Sequence, residues 1–588
     1  MKFSVPVFLI LLIVSCTTKY NPDITADELR NSIEYLASDS LKGRKAGSEG
    51  DLLTAEFIRG KFQDAGLELL FSDGFQPFGV VTEVALGEGN TFRFNNREYE
   101  VEAGFMPYSF SSNSEFSGEV VFAGYGMAFE DDSVSWDDYQ GIDVSGKWVL
   151  VLKGDPEIDN PGSIYARYSD ERTKVLTAVD NHAGGIIFTA GPVFSQEDEL
   201  SPMFYDKNSS TYDIPVLQVT RLVADEILKV AGETVASLEE ELNKLPKPRS
   251  FGVETEVTAD VDVVQKKAET VNVAAILRGN DPELKNEYIV IGAHHDHLGM
   301  GGQGSGSRMP DTIAVHNGAD DNASGVAAVI ELAEKAAGEN SNRRSLIFAT
   351  FGAEETGLIG SRAFTAEPPV PLENITAMIN FDMLGRLDTS SNSLSIGGTK
   401  TATEIEDLLN KYYPDYNLAL SGEGTGPSDH SSFYLQGIPV FFISTGAHSD
   451  YHTPFDDAEF INYEGEKRIL DNTYNLLSEI TNRDEKLTFQ EAGSIQRSGR
   501  GARYKVTLGI MPDFAGVEKR GLRVDAVTKE KPAYKAGMQK GDIITALDGK
   551  KVGNIYDYMN RLNTLETGRP VTVDVIRGDK TVVLIVQL

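Results

Sequence analysis

The sequence predicts an α/β protein with a mostly parallel sheet flanked by helices, and three observations predict it. From Thr270 onward, apolar runs of strand type alternate with helical patterns, the arrangement of a sheet covered on both faces. Chemically active residues gather where those runs stop: YIVIGA ends in His294, His295, Asp296 and His297, and an acidic pair, Asp320 and Asp321, precedes the next helical pattern. Seven of the eight histidines lie between His294 and His452, as expected if several strands deliver side chains to one sheet edge.

At 588 residues the chain is too long for a single core, so several domains are expected. The net charge of -35 and pI of about 4.6 argue against nucleic-acid binding, which needs a basic face. Near the start, Lys2 precedes an apolar run, Phe3 to Val14, too short to span a membrane as a mature helix. It ends in Ile13-Val14-Ser15-Cys16, and small residues before a Cys after a short apolar core resemble the lipobox of bacterial lipoproteins. That resemblance implies a signal peptide over 1–16, lipidation of Cys16 and an exported protein held at the periplasmic face of a membrane or at the cell surface. The competing expectation is an ordinary secretory signal. Cys16 is the only cysteine, so no intrachain disulfide forms and no thiol serves catalysis.

Ala26 to Ala37 and Leu53 to Ala65 show helical periodicity, and with the strand-like segments up to 111 they form the first part of the main domain, 23–111. Arg44, Gly47 and Ser48 are expected to form a capped helix start. From 112 to 257 the texture is β-rich and broken by Gly, Asp and Pro: EVVFAGYGM, DVSGKWVLVLKGDP, a helix near Lys174, HAGGIIFTAG, then IPVLQVT. This order resembles the protease-associated domain, a β-rich insert of several peptidase families. The main domain resumes over 258–483 with helices expected at Ser324 to Ala337, Thr403 to Tyr412 and Glu464 to Ile480. A polar linker is expected at 484–501.

The segment 502–588 carries 15 Lys and Arg against 10 Asp and Glu, opposite in sign to the whole chain. Its VTLGIMPDF and its Ala536-Gly537 pair followed by Lys540-Gly541-Asp542 resemble a PDZ domain. The resemblance implies that Leu508, Gly509 and Ile510 form a loop whose backbone N–H groups take a peptide C-terminus while the peptide extends a sheet edge. A purely structural module is the alternative.

Glu354 and Glu355 follow SLIFATFGA, Asp382 follows ITAMINF, and His448, Asp450 and His452 follow IPVFFIS. Adjacent carboxylates at buried strand ends repel and need a cation or a shared proton. Imidazoles with carboxylates suit zinc first, with cobalt and manganese as alternatives. The ordered set HHDHLG, GADDNASG, GAEETGLIGS, INFDMLGR, GPSDHSSF and SDYHTPFD resembles the secreted di-zinc aminopeptidase family, related to glutamate carboxypeptidases and transferrin-receptor-like proteins.

The resemblance implies a zinc exopeptidase fold with two zinc ions per chain. His294, Asp382 and a bridging Asp320 would hold one zinc, and Glu355, His452 and the same Asp320 the other. Asp296 would orient His294, Glu354 would be the general base toward a bridging water, and Tyr451 would bond the oxyanion. His295, His297, His316 and His448 are expected to be neighbours rather than ligands, and Asp429-His430 to shape the cleft. Ser431 and Ser432 lack the Gly-x-Ser-x-Gly elbow of a serine hydrolase.

The expected activity is removal of N-terminal residues from peptides. A carboxypeptidase or dipeptidase of the same family is the alternative, with Arg386 as its carboxylate-binding candidate. A non-catalytic peptide-binding scaffold and a single-zinc aminoacyl cyclase are weaker alternatives, because every ligand position is filled.

Overall fold

The computed structural model describes residues 21–588 except 132–133, 161, 209, 493–505, 514–517 and 529–530, so the expected signal segment and Cys16 lie outside the described residues. Among the described residues the main sheet has nine strands: β1 (Glu68–Leu69), β2 (Phe75–Leu86), β3 (Val263–Leu277), β4 (Tyr288–His294), β5 (Ser345–Phe351), β6 (Ile375–Phe381), β7 (Ser393–Gly397), β8 (Asn417–Leu420) and β9 (Val440–Ser444). They lie in the order β1-β3-β5-β4-β6-β9-β7-β8, with β2 also paired to β3. The centre, β5-β4-β6-β9, is parallel, whereas β1, β2 and β3 run antiparallel to their neighbours, as β7 does to β9. The sheet is therefore mixed, with a parallel core that puts the carboxyl ends of four strands on one edge.

Every residue of β4, β5 and β6 is buried, which explains their unbroken apolar runs: side chains pointing either way meet a covering layer. On one face Ile289, Ile291 and Ala293 join α1 (Ala26–Leu36), α2 (Glu49–Asp64), α3 (Gly325–Glu339) and α4 (Tyr463–Asn482) in the largest core. On the other, Tyr288 and Val290 pack with Phe364 and Phe433. The central α3 is buried along nearly its whole circumference, in keeping with its Ala- and Val-rich sequence. Thr25 caps α1, and Ser48 caps α2 by accepting from Asp51 N, as expected.

Arg44 does more than start a helix. Fully buried, its guanidinium donates to the carbonyls of Leu36, His295, Asn317 and Gly318, tying α1 to the two loops that carry the polar cluster.

The β-rich region is wider than 112–257. Its eight-stranded sheet also takes Thr91–Phe94, Arg97–Tyr99 and Phe105–Pro107, and its strand Ser250–Val261 runs past 257. The long antiparallel ribbon of β2 and β3 leaves the main sheet and carries this region at its far end, closed by Gly87 N–H donating to Asp262 O at 2.8 Å.

Of the expected linker, 484–492 is part of the main domain, and 493–501 lies outside the described residues. Thr488 N–H bonds Glu404, Phe489 bridges to Ala402, and Ala492 exchanges hydrogen bonds with the Tyr434 hydroxyl, so 484–492 packs on the main domain. The last region has its own core, around Val524, Ile544, Val573 and Val586. It is clamped on two sides. Arg362 pairs with Asp513 and Asp525 and Lys540 donates to Leu435 O on the main domain, while Arg561 bonds Asp180 bidentately and Tyr556 lies under Arg172 on the β-rich insert. Among the described residues no helix is long and apolar enough to cross a membrane.

Candidate metal centre

Four parallel strands end on one edge, and the candidate site is built from the residues just past their carboxyl ends. β4 delivers His294, Asp296 and His297; β5 leads to Glu354 and Glu355; β6 leads to Asp382; the loop after β9 brings Tyr451 and His452. The turn before α3 brings the acidic pair. Ala353, Met383 and His452 all hold positive φ (57°, 63° and 55°), a strained conformation for residues with a Cβ, and all flank or belong to the cluster.

The acidic pair corrects the expectation for the bridging position. Asp321, not Asp320, lies between the two groups: its Oδ1 is 3.2 Å from His294 Nε2 and its Oδ2 is 3.1 Å from His452 Nε2. The reason is local. The helical path is broken at Asp321 and Asn322 (φ -107° and -134°), which turns consecutive side chains apart. The Asp321–Asn322 peptide bond is cis. Asn322 fixes this turn by accepting from Gly325 N and Met383 N and donating to Phe381 O. Asp320 faces the other way. Its Oδ1 accepts from Gly385 N at 2.5 Å and Ser324 Oγ at 3.1 Å, and its Oδ2 lies 3.3 Å from His448 Nε2.

Two ligand groups share Asp321. In the first, His294 Nε2 is also 3.7 Å from Asp382 Oδ1. In the second, Glu355 Oε1 is 3.2 Å from His452 Nε2 and 3.0 Å from His297 Nδ1, with His297 Nδ1 3.9 Å from Asp321 Oδ2. His297 was expected to be a bystander. It is fully buried, and among the described residues its ring nitrogens and Glu355 Oε1 have no hydrogen-bond partner outside this group of imidazoles and carboxylates. Its spacing from His294 gave no warning, because strand geometry ends at His294 and the chain turns under the cleft.

These separations suit metal ions. Ligand atoms about 2.1 Å from a tetrahedral ion stand about 3.4 Å apart, and nitrogen with carboxylate oxygen is a zinc-type donor set. The remaining predicted residues are also here. Asp296 accepts from Glu354 N at 2.9 Å and Glu355 N at 3.3 Å, and its own carbonyl lies 3.1 Å from His294 Nδ1. It thus ties two strand ends together, orienting His294 through its backbone. Tyr451 stacks on His452 at 3.8 Å. Lys207, from the β-rich insert, reaches within 3.6 Å of Glu355 Oε2.

The electrostatics describe a site short of positive charge. Burial alone would lower the His294 pKa, yet Glu354, Asp321 and Asp382 outweigh it and raise it well above the usual value. His452 is likewise carried, against burial, up to about 10 by Asp321 and Glu355. Burial first, then the Glu355, Asp429 and Asp382 carboxylates, push Glu354 well above the carboxylate range, against the pull of His294. Burial also raises Asp296 to about 8. Imidazoles that keep protons this tightly stand where a cation would sit.

The other histidines are accounted for by structure. His295 lies between Asp51 Oδ1 at 3.3 Å and Thr350 Oγ1 at 3.1 Å; His316 between Ser307 Oγ and Ala314 O; His430 stacks on Phe442. Arg386, the candidate for a substrate carboxylate, pairs with Asp450 at 3.1 Å and Asp456 at 3.3 Å instead. Leu508 is buried in the core of the last region, and only Gly509 and Ile510 of that loop line a cavity.

Residues 272–477 match peptidase family M28 and residues 506–588 match the PDZ domain. The chain is 34% identical over 201 residues to an aminopeptidase of Pseudomonas aeruginosa, covering 32% of this chain and 33% of that protein. It is 26% identical over 200 residues to leucine aminopeptidase 1 of Uncinocarpus reesii, covering 31% and 49%. The chain thus spans a third to a half of the length of these relatives. Among solved structures, a zinc aminopeptidase from Bacillus subtilis is similar over 80% of this chain and 99% of its own, at 18% identity and a TM-score of 0.48.

Proposed function

We propose that the chain, which carries a peptidase family M28 domain and a C-terminal PDZ domain, is a zinc-dependent exopeptidase that removes N-terminal residues from peptides. The observation that carries this is the Asp321 carboxylate shared between two imidazole–carboxylate groups, which fits a pair of divalent ions. His294 and Asp382 would hold one zinc, Glu355 and His452 the other with His297 beside them, and Asp321 both. Zinc bound there supplies Lewis acidity toward a peptide carbonyl and lowers the pKa of a coordinated water.

The chain's own residues do the rest. Glu354 is anchored through its backbone N–H to Asp296, and its side chain lines the cleft outside both ligand groups, where it is placed to accept and return a proton as a general base. Tyr451 borders the same cleft with a hydroxyl kept protonated by burial and by the surrounding carboxylates, so it is a donor toward developing negative charge. Aminopeptidase is favoured over carboxypeptidase because Arg386 is already engaged by Asp450 and Asp456.

The insert, of protease-associated type, walls the cleft through Lys207. Export by the 1–16 segment and lipid anchoring at Cys16 belong to the same proposal, and Cys16→Ser should move the protein from the membrane to the soluble fraction.

Aminoacyl anilides, free peptides and N-blocked peptides, each with and without chelator, test the activity. Chelator-sensitive release of N-terminal residues, with about two zinc ions per chain, is expected. Release of C-terminal residues alone would overturn it.

A further inference from the structure

The cleft at the metal centre does not end within the peptidase domain. A cavity of about 1120 Å³ runs from Glu354, Glu355 and Tyr451 to Gly509, Ile510 and Met511 of the PDZ domain. It is larger than the roughly 300–1,000 Å³ of a small-molecule site. Its far wall is a strand, Ile510–Pro512, that lies at the edge of its sheet and among the described residues pairs only with Leu522–Val527. An edge strand offers backbone groups to an extended peptide. The charge is graded along the cavity. Carboxylates dominate the metal end, and Glu423 and Glu491 lie along the wall, whereas Lys531 and Lys540 stand at the PDZ end. Lys540 is anchored on Leu435 O and Gln436. Lys531 packs against Gly509, beside the loop that lines the cavity. The PDZ domain is held over the cleft from both sides, by Arg362 with Asp513 and Asp525 and by Arg561 with Asp180, so the cavity is part of the folded chain.

We infer that the PDZ domain is a distal subsite of the same catalytic cleft: it holds the C-terminal carboxylate of the peptide whose N-terminal residue lies at the metal centre, so the chain selects short free peptides by length. The occupant is a peptide because the cavity joins a peptidase centre to a strand edge. Its terminus is a carboxylate because the cations lie at that end. This rests on the exopeptidase proposal for the near end and adds the substrate class.

Two arms test it. Wild-type enzyme is given peptides with one N-terminal residue, from a dipeptide to about ten residues, each residue adding about 3.5 Å of reach, as free acids and as C-terminal amides. The expected result is an optimum length for the acids that amidation removes, with kcat/KM falling about tenfold through KM, which is about 1.4 kcal/mol. Lys531→Glu should abolish the optimum and leave an aminoacyl anilide unaffected.

In the second arm, labelled peptides bind the Glu354→Gln variant without being cut. Acids should bind about tenfold tighter than amides, and Lys531→Glu should level them. Equal handling of acids and amides in both arms overturns the inference. So does tight binding of an N-blocked acid that fails to compete with substrate, which would make the PDZ groove a separate recruiting site. Loss of all hydrolysis with acid-selective binding intact would instead sink the exopeptidase proposal.

Discussion

Two imidazole–carboxylate clusters sit back to back at the carboxyl edge of the sheet, built from neighbouring residues of the same types. In one, His294, His297, His452, Asp321, Glu355 and Asp382 face each other at 3.0–3.9 Å, with buried ring nitrogens and a carboxylate oxygen left without hydrogen-bond partners outside the group among the described residues. In the other, Asp320, His448, Asp456, Asp450 and Arg386 pair with one another and with the backbone, although Asp320 Oδ2, His448 Nε2 and Arg386 Nε also lack a hydrogen-bond partner among the described residues. Asp456 Oδ2 accepts both the Asp320 and Asp321 N–H groups at 3.0 Å, and its Oδ1 faces Arg386 at 3.3 Å. The difference lies in the donors. A carboxylate supplied with backbone N–H groups and a guanidinium needs no ion, and a group of carboxylates facing mainly imidazoles and one another, with Lys207 alone at its margin, does. The second cluster is the mount of the first, because Asp456 fixes the turn that aims Asp321.

The sharpest way to break this comparison is to exchange the roles of the acidic pair. Asp321→Asn should cut kcat/KM by about 10³-fold or more and lower the bound metal, while Asp320→Asn should keep both ions. Metal content and kinetics read this directly, and the opposite outcome would restore Asp320 as the bridge.

Next in size is the mount. Asp456→Ala leaves two backbone N–H groups and Arg386 short of a partner, so it should destabilise the fold by about 3–5 kcal/mol and reduce activity by about 10–100-fold. Chemical denaturation and kinetics separate the two effects, and a stable, fully active variant would show that the clusters are independent.

Metal removal should act on the first cluster alone. Chelation should lower the melting temperature of the wild type, by the equivalent of about 4 kcal/mol if free zinc stands about 1,000-fold above its Kd, and zinc should restore it. Asp321→Asn should melt at one temperature with or without chelator.

The smallest effect near neutral pH comes from His430, a buried imidazole with no carboxylate to hold its proton and with Nδ1 unpartnered. Burial depresses its pKa from 6.5 to about 3. Its neutral form therefore contributes in full above pH 6.5, and that contribution is lost as pH falls from 6.5 toward 3, at up to about 1.4 kcal/mol per unit. Thermal melts across this range should show a slope in the wild type that His430→Leu flattens.

Much of this was legible before folding. Buried parallel strands must be apolar throughout and must stop where their polar ends reach the edge, so His294, Glu354, Glu355 and Asp382 could be placed from pattern alone. The choice within Asp320-Asp321 was not legible. Both residues share composition and neighbours, and only the backbone turn at Asp321 separates their directions. His297 was hidden for the same reason, since it lies past the end of β4 where alternation no longer predicts a face. Arg386 looked free because its partners, Asp450 and Asp456, lie more than sixty positions away.

The sequence by itself determined the α/β class, the strand-end chemistry and the change to a basic C-terminal module, because burial and charge are properties of residue type and local order. The tertiary structure decided which aspartate is shared between the two ligand groups, where the β-rich insert begins and that the C-terminal module lines the far end of the cleft. Those depend on backbone direction and on contacts between residues far apart in the chain, which no local pattern encodes.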